Sequence, residues 1–242
     1  MSNFALKMAA LFTMIIDHMG HAFIITSFRY VGRIAFPLFA FLIGEGCRHT
    51  SNIKKYLSRL LIFAFISEIP FDLLRSTRRG VPVSGFWDII DLSAQNVFFT
   101  LFLGAFAIAA YMYAKKVAGE ALALVIGLLI TILCGYLADF IRADYGFIGV
   151  AIIALPAIAA ELCPPERWKK FVNIGVTALC LSLIYEGQLG FLLASFVSLV
   201  LILMYNGRRG KPVRWAFYLA YPVHMLILFG IWAYLGFGFP SF

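Results

Sequence analysis

The chain of 242 residues is 62% hydrophobic and 13% charged, whereas a soluble domain is about 45–50% apolar and about 25% charged. It reads as an integral membrane protein, and long apolar runs at helical spacing favour a helical bundle over a barrel of alternating strands. The net charge of +8 lies between those runs, as the positive-inside rule expects, which argues against nucleic acid as a partner.

The expected fold is all-α, a polytopic transmembrane helical bundle of about nine to ten spans in one domain over residues 1–242. Candidate spans are 5–27, 31–47, 55–74, 96–114, 119–140, 147–162, 170–186, 187–205 and 214–236; each is near the ~20 residues that a bilayer requires. A short or re-entrant tenth element fits the segment 80–95. The first span has no small-residue cleavage site and reads as retained. Alternate loops hold Arg48, Lys54, Lys55 and Arg59, then Lys115 and Lys116, then Arg167, Lys169 and Lys170, then Arg208, Arg209, Lys211 and Arg214. With Lys7, this bias places the N-terminus in the cytoplasm of a multi-pass membrane protein. Cys47, Cys134, Cys163 and Cys180 form no CxxC pair, so neither a metal site nor a disulfide framework is indicated.

The first span carries Asp17, His18 and His21 among apolar residues. An ionised carboxylate at bilayer depth costs about 2.5–3.5 kcal/mol, so such groups face a protein interior or a watery cavity. His21 borders both Asp17 and His18 on a helix, while Asp17 and His18 point about 100° apart. Histidine is suited to accept and return a proton near neutral pH; equally, these residues can form a polar knot that locks helices together.

In the second span, Arg33 either snorkels to the interface or pairs with Asp17 or Glu68. Glu45 stands near the cytoplasmic end, where a salt bridge to Arg48 can close the helix. In the third span, Glu68-Ile69-Pro70-Phe71-Asp72 reads as a proline-kinked helix end with solvated acids, or as part of a site. Asn96 is placed to cap the fourth span, and Asp144-Tyr145-Gly146 reads as a tight turn between the fifth and sixth. In the last span, Pro222 can open the helix and aim His224 into a cavity, although His224 also fits a satisfied core position. Arg48, Lys54, Lys55 and Arg59 can hold the phosphates of a nucleotide-like donor such as coenzyme A, or act as topology signals on anionic membrane lipid.

Together Ile16-Asp17-His18-Met19-Gly20, the run Arg33-Ile34-Ala35-Phe36-Pro37-Leu38-Phe39-Ala40-Phe41 with Glu45-Gly46, and Ser67-Glu68-Ile69-Pro70-Phe71-Asp72 resemble the TraX family. Asn96-Val97-Phe98-Phe99-Thr100-Leu101, Asp144-Tyr145-Gly146 and Tyr221-Pro222-Val223-His224 extend the resemblance over nearly the whole chain. TraX proteins are polytopic inner-membrane proteins whose namesake acetylates the N-terminus of conjugative pilin, and they distantly resemble membrane acyltransferases that modify surface glycans. The resemblance implies an acetyltransferase with acetyl-CoA as co-substrate and no metal, acting on a protein N-terminus or a glycan. It maps the catalytic pair onto Asp17 and His18, with Arg33, Glu45, Glu68 and His224 as supporting residues.

On that expectation His18 is the general base, or becomes acetylated in a two-step route. Asp17 or Glu68 orients an imidazole, His21 or His224 supplies the second contact, and Arg33 stabilises the oxyanion. Two other functions use the same residues. A proton-coupled transporter also needs ionisable groups at membrane depth, and a noncatalytic assembly protein needs polar groups only for packing.

Overall fold

The computed structural model describes residues 1–79, 90–163, 165–211 and 214–235. Over these the chain runs through α1 (Asn3–Ala22), α2 (Thr26–Gly32), α3 (Ala35–His49), α4 (Ile53–Arg79), α5 (Val97–Ala118), α6 (Glu120–Phe140), α7 (Gly146–Leu162), α8 (Glu166–Ile184), α9 (Leu189–Leu203) and α10 (Arg214–Tyr234). Each expected span falls on a helix, but fewer of these helices than expected are long and apolar enough to cross a membrane by length and composition alone. Four helical stretches among the described residues qualify: Thr26–His49, Val97–Ala118, Glu120–Phe140 and Trp215–Tyr234. Gly146–Leu162 and Leu189–Leu203 are apolar but shorter. α1, α4 and α8 dilute their apolar runs with charged or imidazole groups such as Lys7, Asp17, His18, Glu68 and Lys169. Most of the expected element at 80–95 lies outside the described residues.

α3 and α7 form the middle of the bundle. Nearly all of α7 from Gly149 to Ala160 is buried, as is α3 from Ala35 to Leu38 and from Ala40 to Glu45. α3 packs against α1, α5, α7 and α9, while α10 packs against α1 and α4. Gly104 lets α5 close on α7, since a Cβ there would lie 2.6 Å from Ile153 Cβ. The periphery is apolar as well: Leu129, Leu133, Tyr136 and Phe140 of α6, and Leu189, Leu193 and Val200 of α9, are exposed. A continuous rind of aliphatic and aromatic side chains suits hydrocarbon as the surrounding medium.

Local chemistry sets the helix ends. Ser2 caps α1 by accepting from the Ala5 N–H at 3.2 Å. α1 closes where the Phe23 N–H reaches Met19 O and the Ile25 N–H reaches Gly20 O, with Ile24 left-handed at φ 58°. This turn folds α2 back against the end of α1. Pro37 falls in the first turn of α3, where its missing N–H has no intrahelical acceptor to lose. Pro70 does not end α4, contrary to the kinked end expected there: the helix runs on to Arg79. Asn96 caps α5 as expected, its Oδ1 accepting from the Phe98 N–H at 3.0 Å.

Candidate functional site

The two histidines farthest apart in sequence meet side by side. His18 Nδ1 lies 2.5 Å from His224 Nε2, and the ring planes are parallel. His224 Nδ1 lies 2.6 Å from the Ala220 carbonyl oxygen. A carbonyl only accepts, so Nδ1 of His224 carries the proton and its Nε2 is the acceptor. The proton between the rings then belongs to His18 Nδ1, which leaves His18 Nε2 with a lone pair. No hydrogen-bond partner for that nitrogen is found among the described residues. One helix carbonyl thus fixes both tautomers and equips His18 Nε2 to act as a base or a nucleophile.

Asp17 faces elsewhere. Its Oδ2 accepts from Arg29 at 2.5 Å and its Oδ1 from Arg33 at 2.8 Å, while Arg33 Nε donates to Arg29 O at 3.1 Å. Gly32 makes room for this clamp: a Cβ there would fall 1.9 Å from Asp17 Oδ1. Of the two pairings open to Arg33, the structure forms the one with Asp17. His21 stands one turn beyond His18, and its buried Nε2 has no hydrogen-bond partner among the described residues.

Glu68 accepts from Asn96 Nδ2 at 2.5 Å, and the same amide donates to Ala64 O at 2.7 Å, tying α4 to the start of α5. The second carboxylate oxygen of Glu68 is buried and unpaired among the described residues. The turn between α6 and α7 docks on this region through Gln95 N to Arg142 O and Asp144 N to Gln95 O, both 2.9 Å. The Thr100 hydroxyl closes the same junction by donating to Asp144 O. Tyr145 occupies the left-handed region at φ 64° and stacks on Phe36 at 3.8 Å. The Asp144 side chain is exposed, and its Oδ1 accepts from the Tyr145 N–H at 3.1 Å. Desolvation by the surrounding protein pushes its carboxyl up to about 6, against the pull of Arg33.

A cavity of about 450 Å³ opens between α1, α3, α4, α5, α10 and the segment 205–211. Lys7, Arg59, Arg209 and Lys211 stand on its wall, and Leu11, Met14, Leu42, Phe98, Leu101 and Tyr218 make much of it apolar. On α1, Lys7, Leu11 and Met14 form one helical stripe whose next member is His18. On α10, Phe217, Tyr218 and Tyr221 line the cavity, and His224 follows one turn later. Tyr221 bridges the two features, edge-on to His18 at 5.8 Å between ring centroids. Arg59 Nε is buried on this wall without a hydrogen-bond partner among the described residues, a donor suited to an anion.

Of the basic residues expected to hold a donor, only Arg59 lines the cavity. Arg48 is occupied by Glu45 at 3.0 Å, Glu161 at 2.9 Å and Glu166 at 2.8 Å, so the expected closure of α3 by Glu45 and Arg48 is present. Glu45 itself reaches the cavity wall. Lys54 and Lys55 are exposed on α4 and are not part of the lining. Sequence reasoning missed Lys7, Arg209 and Lys211 as a common rim. Their signal is the positive-inside pattern, which puts Lys7, Arg59, Arg209 and Lys211 on one side without bringing them to one cavity. Among the described residues, no group of three or more His, Cys, Asp or Glu side chains is placed to hold a metal ion.

The TraX protein family model matches residues 2–232. A curated relative, described as a probable fimbrial assembly protein FimC of serogroup H1 from Dichelobacter nodosus, is 30% identical over 251 residues, covering 94% of each chain. No solved structure matches the chain. The family model spans nearly every helix described, including both ends of the His18–His224 contact, and this chain therefore belongs to the TraX family.

Proposed function

We propose that the chain is a membrane-embedded acetyltransferase that moves an acetyl group from cytoplasmic acetyl-CoA to an amine or hydroxyl presented at the outer face. The observation that carries this reading is the His18–His224 pair, with its tautomers fixed by Ala220 O, one turn beyond a cavity with a basic rim. From Lys7 to His18 the α1 stripe rises about 16 Å, the reach of an extended phosphopantetheine arm. Coenzyme A phosphates at Lys7, Arg59, Arg209 and Lys211 then leave the thioester near His18 Nε2. His18 takes the proton from the acceptor as it attacks, and His224 stabilises the imidazolium by accepting from its Nδ1–H. The basic rim faces the cytoplasm, in a bundle whose helices α1, α4 and α8 cross along with the more apolar ones. The relative's printed name directs attention to a fibre subunit as the acceptor.

That same name favours a second reading, in which the chain assists fimbrial assembly without catalysis and its polar groups serve packing alone. Purified protein in detergent, supplied with labelled acetyl-CoA and an amine acceptor, separates the two. The acetyltransferase reading expects binding by wild type and by His18→Ala, with label transferred only by wild type. Transfer by a well-expressed His18→Ala protein, or absence of donor binding by folded wild type, contradicts it.

A further inference from the structure

The sequence offers Arg33 for the oxyanion, but both ends of its guanidinium are engaged by Asp17 and Arg29. A different donor stands at the inner end of the cavity. Tyr221 is only 4% exposed, yet it forms part of the cavity wall beside Val97 and Phe98. Its ring is edge-on to Phe98 at 5.1 Å, to His224 at 5.7 Å and to His18 at 5.8 Å. These contacts hold the phenol in one place. Its neighbour on that wall is Val97. Val97 is the first residue of α5, so its N–H has no intrahelical acceptor, and the Asn96 cap is committed to Phe98. The field of that helix end favours negative charge forming beside the phenol proton. No acceptor for that proton is found among the described residues.

We infer that Tyr221 is a catalytic residue whose O–H, held against His18 and His224 at the inner end of the cavity, donates to the thioester carbonyl oxygen as it becomes an oxyanion. This assignment rests on the acetyltransferase reading and adds a component to it. The acceptor lone pair forms a bond to the carbonyl carbon, and the C=O π pair moves onto oxygen, where Tyr221 meets it. The acceptor proton passes to His18 Nε2. Collapse restores C=O, breaks the C–S bond and expels the coenzyme A thiolate, which takes the proton back from His18. Ionised carboxylates cannot do this job, because they have no proton to donate.

Tyr221→Phe keeps the ring contacts and deletes the O–H alone. With labelled acetyl-CoA and an amine acceptor, kcat is expected to fall by about 10²-fold or more, with donor KM and the unfolding midpoint near wild type. A kcat within a few-fold of wild type, or a loss confined to KM, overturns the assignment while leaving the acetyltransferase reading intact. If the variant folds poorly, fluorotyrosine at position 221 retains the shape and acidifies the O–H. It must alter kcat without altering KM, and an unchanged kcat again overturns the assignment. Absence of transfer by folded wild type defeats the underlying reading and this assignment with it.

Discussion

Asp17 and His18 are neighbours in sequence with separate jobs in the structure. Asp17 holds two guanidinium groups in a largely buried clamp, and removing one partner of such a set leaves uncompensated charge that costs about 3–5 kcal/mol. Asp17→Asn is therefore expected to destabilise the fold by roughly 3 kcal/mol while leaving donor affinity unchanged, as read by thermal unfolding and labelled acetyl-CoA binding. An unaltered unfolding midpoint together with lost transfer would return Asp17 to the catalytic pair. Asp144 makes a pH-dependent contribution. Its folded carboxyl titrates at about 6, above the ordinary value near 3.9, so the folded state holds the proton more tightly than the unfolded chain does. Its contribution is full below about pH 4 and is lost as the pH rises through about 6. The unfolding midpoint should fall across that window in wild type, and Asp144→Asn should flatten the limb.

At the scale of elements, the site is made by helices whose sequence separation is large. α1 and α10 bring His18 to His224, and the α4–α5 junction brings Glu68 to Asn96. The apolar periodicity made the helices legible, and an ionisable group inside such a run marked Asp17, His18, Glu68 and His224 as partners for something. Which partner each takes depends on helix neighbours, and periodicity carries no information about them. The Asn96 cap and the Glu45–Arg48 bridge were legible because they are local. The shared wall of Lys7, Arg59, Arg209 and Lys211 was not, because three separate parts of the chain supply it. Replacing Arg209 and Lys211 together by alanine should weaken acetyl-CoA binding and reduce its dependence on salt, with the unfolding midpoint unchanged. Unchanged affinity at low ionic strength would place the donor elsewhere.

For the molecule as a whole, the proposed reading has one bundle join two compartments. The cavity extends from basic residues at the starts of α1, α4 and α10 to the start of α5, where Val97 and Tyr221 form part of its wall. Beyond lie the Asp17 clamp and the α6–α7 turn at Asp144. The two histidines stand between these regions, where the proposed reading has a cytoplasmic thioester meet an acceptor from the far side. The buried centre of α3 and α7 supplies the rigid support, and the exposed apolar faces of α6 and α9 leave lipid as the outer medium. The central claim is that His18 and His224 work as one unit. A double-mutant cycle in the rate of acetyl transfer tests this most directly, using His18→Ala, His224→Ala and both together. Residues acting as a unit are strongly non-additive. The double variant is expected to be no slower than His18→Ala alone, whereas losses that multiply across the cycle would contradict the coupled pair.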